Sequence, residues 1–153
     1  MRQAKTDIPA VIVNETPASR IAYLPADIDR RYALDSLPDH ADLLANLVRW
    51  TSRNNIPVQI TGPGLIHCQL YTQPGRTILH LLNLTNTAAW RSPAEELTPI
   101  GPLHVAVRFP PGNIPRTAKL LVSGKPAQPT SDGPLTHVDL GSITDHEVLV
   151  FFP

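Results

Sequence analysis

The sequence predicts a mainly β protein: an antiparallel β-sandwich preceded by a truncated α/β unit, a β-hairpin plus one amphipathic helix. Three observations carry this expectation. From Pro57 to Pro153, short apolar stretches alternate with turns roughly every ten residues, as in sandwiches and barrels. Most of the 17 prolines fall between those stretches, where they end strands and stiffen loops. Only one stretch, 37–53, has helical periodicity, and nothing before or after repeats it.

The first piece, residues 1–55, opens with a predicted hairpin. Ala10 to Val13 and Arg20 to Leu24 are rich in β-branched and apolar residues, and Glu15-Thr16-Pro17-Ala18-Ser19 between them suits a turn. Both strands are apolar on both faces, so they call for cover from two sides. Pro25 to Tyr32 reads as an irregular polar lead into the helix. Asp35 or Ser36 can cap that helix, Pro38 suits its first turn, and Asp39 and Asp42 favour the positive end of its dipole. Leu43, Leu44, Leu47, Val48 and Trp50 form one stripe, with Trp50 expected to be buried beneath the helix, and Asn54-Asn55-Ile56-Pro57 stops it. A lone unit of this kind cannot cover two faces of a sheet, so it is expected to be the severed edge of a larger α/β layer.

The second piece, residues 56–153, is expected to hold strands near Val58 to Thr61, Leu65 to Thr72, Thr77 to Asn83, Leu103 to Phe109, Ala118 to Val122, Thr136 to Leu140 and Glu147 to Phe152. Gln73-Pro74-Gly75-Arg76 puts Pro and Gly at the central positions of a type II turn and so pairs the second of these strands with the third. Ile66, Cys68 and Leu70 alternate with His67, Gln69 and Tyr71, which makes Cys68 a core residue and leaves Tyr71 outside. The next strand, Ile78 to Leu84, is apolar on both faces and is expected to lie centrally, with His80 a hydrogen-bonded core residue.

Composition narrows the function. Equal numbers of basic and acidic residues give a net charge of zero, which offers no electrostatic footprint for nucleic acid or for an anionic membrane surface. The single cysteine, Cys68, has no internal disulfide partner. There is no apolar run of membrane-spanning length, and Met1 to Asp7 lacks the hydrophobic stretch of a signal peptide. The chain is therefore expected to be soluble, and cytoplasmic by default.

Three stretches together carry a family resemblance: Ile8-Pro9-Ala10-Val11-Ile12-Val13-Asn14-Glu15, then Arg20-Ile21-Ala22-Tyr23-Leu24-Pro25-Ala26-Asp27-Ile28-Asp29-Arg30, then Asp39 through Trp50. They resemble the end of the glutamine-amidotransferase-like, or trimerisation, domain of bacterial β-galactosidase-type glycoside hydrolases. In that family a catalytic barrel comes first and a small β-sandwich last. Leu79-His80-Leu81-Leu82-Asn83-Leu84-Thr85-Asn86 is similar to a strand of such carboxyl-terminal sandwiches. The resemblance implies a non-catalytic structural or interaction region that self-associates or docks on an N-terminal domain absent from this chain. An independent carbohydrate-binding module is the alternative. The barrel that bears the catalytic carboxylates is missing, so no catalytic residue is assigned, and no cofactor is implied.

Other candidates reduce to ordinary chemistry. Asp27 and Asp29 would point the same way on extended backbone, but an Asp-rich stretch before a helix is turn and cap chemistry, with Arg30 and Arg31 beside it. Glu95 and Glu96 read as solvated loop residues. The six histidines share no metal-ligand spacing; His67 and His80 approach each other across the hairpin only if the register allows, and no metal site is expected. Gly62-Pro63-Gly64 lacks the length and the lysine of a phosphate loop. Asn14-Glu15-Thr16 and Asn83-Leu84-Thr85 match glycosylation triplets, but such short matches are frequent and these are expected to be idle. For sugar binding, exposed aromatic rings are the requirement, and the candidates are Tyr71 and Trp90.

Overall fold

The computed structural model describes residues 7–85 and 96–153. The chain divides into two compact units, Met1–Ile56 and Pro57–Pro153.

In the first unit, β1 (Ile12–Glu15) pairs antiparallel with β2 (Arg20–Tyr23), Val13 opposite Ala22 and Asn14 opposite Ile21. Their turn is closed by the Thr16 N–H on the Ser19 carbonyl at 2.8 Å and by the Ser19 N–H on Thr16 Oγ1 at 3.0 Å. The stretch expected to be irregular instead contains a helix, α1 (Ile28–Asp35), stabilised by Asp29 in its first turn and an Arg31–Asp35 ion pair at 2.8 Å one turn apart. Ser36, in left-handed conformation, ends it by donating its N–H to the Tyr32 carbonyl at 2.8 Å. Asp35 and Ser36 therefore terminate α1 and do not cap the next helix. That helix, α2 (Pro38–Thr51), starts from an extended Leu37 with Pro38 in its first turn, and no side chain caps it.

Arg20 ties β2 to the end of α2. Its Nη1 donates to the Trp50 carbonyl at 3.1 Å, its guanidinium lies 5.3 Å from the centre of the Trp50 ring, and Glu15 holds it from the other side at 2.7 Å. Arg53 likewise donates to the carbonyls of Thr16 and Pro17. Trp50 is half-buried rather than enclosed, and no described residue of this unit is fully buried. Ile12, Val13, Ile21 and Tyr23 are all exposed.

The second unit holds two antiparallel sheets. One has the order β3 (Val58–Thr61), β6 (Leu103–Arg108), β10 (Leu135–Leu140), β9 (Thr130–Asp132); the other runs β4 (Ile66–Gln73), β5 (Arg76–Asn83), β11 (His146–Phe152), β7 (Thr117–Leu120), β8 (Pro126–Ala127). Period-two alternation sends Leu103, Val105, Val107, Val138 and Leu140 from the first sheet, and Leu79, Leu81, Leu120, Leu149 and Phe151 from the second, into one core. Ile66, Cys68 and Leu70 pack against it half-buried, and desolvation raises the Cys68 thiol above its ordinary pKa. The β4–β5 hairpin turns on Pro74–Gly75, with Gln73 opposite Arg76 and Gly75 at φ 74°, as a type II turn requires.

One expected strand ends early for an identifiable reason. Strand β7 stops at Leu120, short of the expected Val122: the Leu121 N–H still donates to the Val148 carbonyl at 2.9 Å, but the next two amides turn to the Glu147 carboxylate, and Leu121 and Val122 are exposed. Glu147 Oε1 accepts from the Val122 and Val148 N–H groups at 2.9 Å, and Oε2 accepts from Ser123 N–H at 3.1 Å. Burial pushes this carboxyl's pKa up, but the donors of Val148, Ser123 and Val122 outweigh it and leave it below the usual carboxylate value. Asn83, the first residue of a triplet read as idle, is engaged structurally: its amide donates to the carbonyls of Thr98 and Thr144 at 2.8 Å, and Oδ1 accepts the Thr85 N–H at 3.0 Å.

Gly101 adjoins the bridge between Ile100 and Ile143 at φ 148°, and a Cβ there would collide with the Gly141 carbonyl oxygen. Gly133, at φ 57°, faces open space. Thermal melts of Gly101→Ala should therefore show a loss of at least about 3 kcal/mol, and Gly133→Ala a loss of about 1–2 kcal/mol. For Glu147, a lowered folded pKa means stability that is present above the unfolded carboxylate pKa and is lost as pH falls through the folded one. Glu147→Gln should cost roughly 1–3 kcal/mol at neutral pH and flatten the acid limb of the stability profile, as followed by urea unfolding between neutrality and pH 3.

Candidate functional site

The outward face of the five-stranded sheet is where polar and aromatic side chains converge. Alternation along β4 turns His67, Gln69, Tyr71 and Gln73 outward, and the register sets Gln69 opposite His80, Tyr71 opposite Ile78 and His67 opposite Leu82. Gln69, Tyr71, Gln73, Ile78, His80 and Leu82 line a shallow groove of about 360 Å³.

The groove is internally wired. Tyr71 donates its hydroxyl to Gln69 Oε1 at 2.6 Å, and the Gln69 amide lies 3.3 Å from His67 Nε2. Because an amide nitrogen only donates, His67 Nε2 is the acceptor and its proton sits on Nδ1. The Tyr71 ring meets the His80 ring edge-on, with centroids 5.6 Å apart. Arg76 Nε donates to Gln73 Oε1 at 2.6 Å, which fixes the amide at the hairpin end. An apolar ring face flanked by fixed amide and imidazole groups can stack on a sugar ring and hydrogen-bond its hydroxyls.

Of the two aromatic candidates, Tyr71 lies in this groove with its residue half-exposed, and Trp90 lies outside the described residues. His80, expected in the core, is half-buried on the outer face against Tyr71. It shares that face with His67, but Gln69 rather than His80 is the partner of His67. Asp27 and Asp29 fall at the start of α1, where residues two apart do not face each other, and Asp27 contacts Arg30 at 3.4 Å. Glu96 is exposed, and Glu95 lies outside the described residues. Among the described residues, no helix is long and apolar enough to cross a membrane.

A second cavity, of about 350 Å³, opens at the end of the sandwich over Leu70, Phe109 and Phe151, with Arg76, Arg108 and Asn113 around it. Sequence reading missed it because its walls come from strand ends and loops far apart in the chain. The adjacency of Phe109 and Phe151, with rings 5.3 Å apart, follows only from sheet-on-sheet packing.

No protein-family model matches the chain, and neither does any curated protein. Among solved structures, the chain is similar to α-L-fucosidase isoenzyme 2 from Paenibacillus thiaminolyticus, with a TM-score of 0.73 and 17% identity over 94% of this chain and 22% of that one. A weaker likeness, TM-score 0.49 and 18% identity over 61% of this chain and 16% of the other, is to a cycloisomaltooligosaccharide glucanotransferase from Paenibacillus sp.. The chain thus has a fold found within the fucosidase and spans about a fifth of that protein's length. Neither of these two proteins is described as a β-galactosidase.

Since the Tyr71 side chain stands on the surface, Tyr71→Ala should change the unfolding free energy by no more than about 1 kcal/mol, measured by urea denaturation. A larger loss would mean that the ring supports the sheet rather than the groove.

Proposed function

We propose that this chain is a non-catalytic accessory region of a glycoside-hydrolase-like protein, and that its first unit docks through the β1–β2 hairpin onto another domain of that protein. One observation carries the reading: Ile12, Val13, Ile21 and Tyr23 are exposed, and no described residue of the unit around them is fully buried. An apolar surface of this kind belongs against a neighbour. The fold likeness to a fucosidase of which the chain spans 22% supports a parent protein with further domains. The parent would be a glycoside hydrolase. Deprived of its neighbour, the hairpin should mediate self-association. Light scattering across a concentration series should show dimers or larger species that Val13→Asp with Ile21→Asp returns to monomer. A clean monomer of the unaltered chain at high concentration would refute the docking role.

The groove at Tyr71 favours a second reading, a carbohydrate-binding face. Here the exposed ring and the amides of Gln69 and Gln73 would supply stacking and orientation. Calorimetric titration with galactosides and plant oligosaccharides should give binding that Tyr71→Ala abolishes. Silence across the panel would leave the docking role alone.

A further inference from the structure

The outward face of the other, four-stranded sheet carries a different constellation. In the β6–β10 register His104 stands opposite Asp139, and His137 stands opposite Ala106, which makes the two histidines diagonal neighbours on one face. Asp139 Oδ1 is 2.6 Å from His104 Nδ1, and His104 Nε2 is 3.1 Å from His137 Nδ1. A carboxylate only accepts, so the proton of a neutral His104 lies on Nδ1 and its Nε2 lone pair faces His137. His137 Nδ1–H fills that lone pair when nothing else is present. The two ring planes are 23° apart.

We propose that His104 Nε2 and His137 Nδ1 form a two-histidine site for a nitrogen-preferring divalent cation of the Cu²⁺, Ni²⁺ or Zn²⁺ class, oriented by Asp139. Imidazole is the ligand such ions favour over hard, oxygen-seeking Ca²⁺ or Mg²⁺. At metal–nitrogen bonds of about 2.0–2.1 Å, two nitrogens 3.1 Å apart subtend an angle of about 98° at a shared ion, between the square-planar and tetrahedral values. Asp139 holds the far nitrogen of His104, the outer contact that sets tautomer and ring orientation behind metal-bound imidazoles.

The surroundings suit entry of an ion. Both histidines sit on strands paired on each side, β6 between β3 and β10, and β10 between β6 and β9, so the backbones that carry them are fixed. The His104 side chain is about half-exposed, so its ring can turn its lone pair toward a point shared with His137. Among the described residues, no group of three or more His, Cys, Asp or Glu is placed to share an ion, so water completes the coordination. Binding moves the His137 proton from Nδ1 to Nε2 and frees the Nδ1 lone pair. No proton is gained or lost by the neutral pair.

Calorimetric titration of the whole chain with Cu²⁺ and Ni²⁺ in a non-chelating buffer, with Ca²⁺ as the hard-ion control, tests this site. The expected result is one ion per chain, affinity reduced more than tenfold by either His104→Ala or His137→Ala, and reduced about 10–100-fold by Asp139→Asn. His146→Ala should leave binding unchanged, because His146 has a carboxylate neighbour, Asp145 at 2.9 Å, but no second imidazole bonded to it. With diamagnetic Zn²⁺, nitrogen-15 NMR should report the tautomer change at His137, a readout that does not depend on any variant folding. Wild-type affinity in both single histidine variants, or no shift at the His137 nitrogens under saturating Zn²⁺, would overturn the proposal.

Discussion

Burial of two facing rows of side chains is the interaction on which the second unit depends. Leu79, Leu81, Leu149 and Phe151 of one sheet meet Leu103, Val105, Val107 and Val138 of the other, and each of these eight is at most 2% exposed. Antiparallel pairing makes that arrangement all-or-none in register, since a slip of one residue would turn an entire row outward. The same alternation that buries Leu79 and Leu81 presents Ile78, His80 and Leu82 on the opposite face. On β6, the strand that buries Leu103 and Val105 presents His104. The surface chemistry is in this sense a by-product of the core.

The first unit is held by a different kind of interaction. Its helix and hairpin are joined by arginines reaching to backbone carbonyls, Arg20 to Trp50 and Arg53 to Thr16 and Pro17, rather than by an enclosed apolar cluster. The Arg53 ties are exposed and contribute little net stability, the Arg20 tie is only part-buried, and the exposed Ile12, Val13 and Ile21 would gain from being covered. The two units thus differ in kind: the second has an enclosed apolar core, and no described residue of the first is fully buried.

Much of the β architecture was legible in local pattern. Pro74–Gly75 fixes its hairpin by turn geometry, and the alternation in Ile66 to Tyr71 reports one wet and one dry face directly. Helix α2 announced itself through Pro38 and its apolar stripe, of which Leu43, Leu44, Leu47 and Trp50 are half-buried while Val48, expected with them, is exposed. Helix α1 did not: Asp27, Asp29, Arg30 and Arg31 have turn-like composition, and the Arg31–Asp35 pair one turn apart and the contact with α2 become visible only in the fold. The short edge strands β8 and β9 were missed because Pro126-Ala127 and Thr130-Ser131-Asp132 have weak strand propensity and pair only by leaning on β7 and β10. Glu147 reads as an ordinary strand-end charge until the loop at Val122 and Ser123 folds onto it. The Asp139–His104–His137 constellation was hidden for a related reason: 33 residues separate the two histidines, and only the β6–β10 register brings them together.

The sandwich carries its own core, whereas the proposed role of the first unit is to dock against a neighbour. Native-state hydrogen exchange on the isolated chain, at a concentration where it is monomeric, separates the two directly. Amides of β5, β6, β10 and β11 should exchange only through global unfolding, and those of β1, β2, α1 and α2 orders of magnitude faster. Equal protection across both units would contradict the account, because it would mean that the first unit is already fully stabilised without a neighbour.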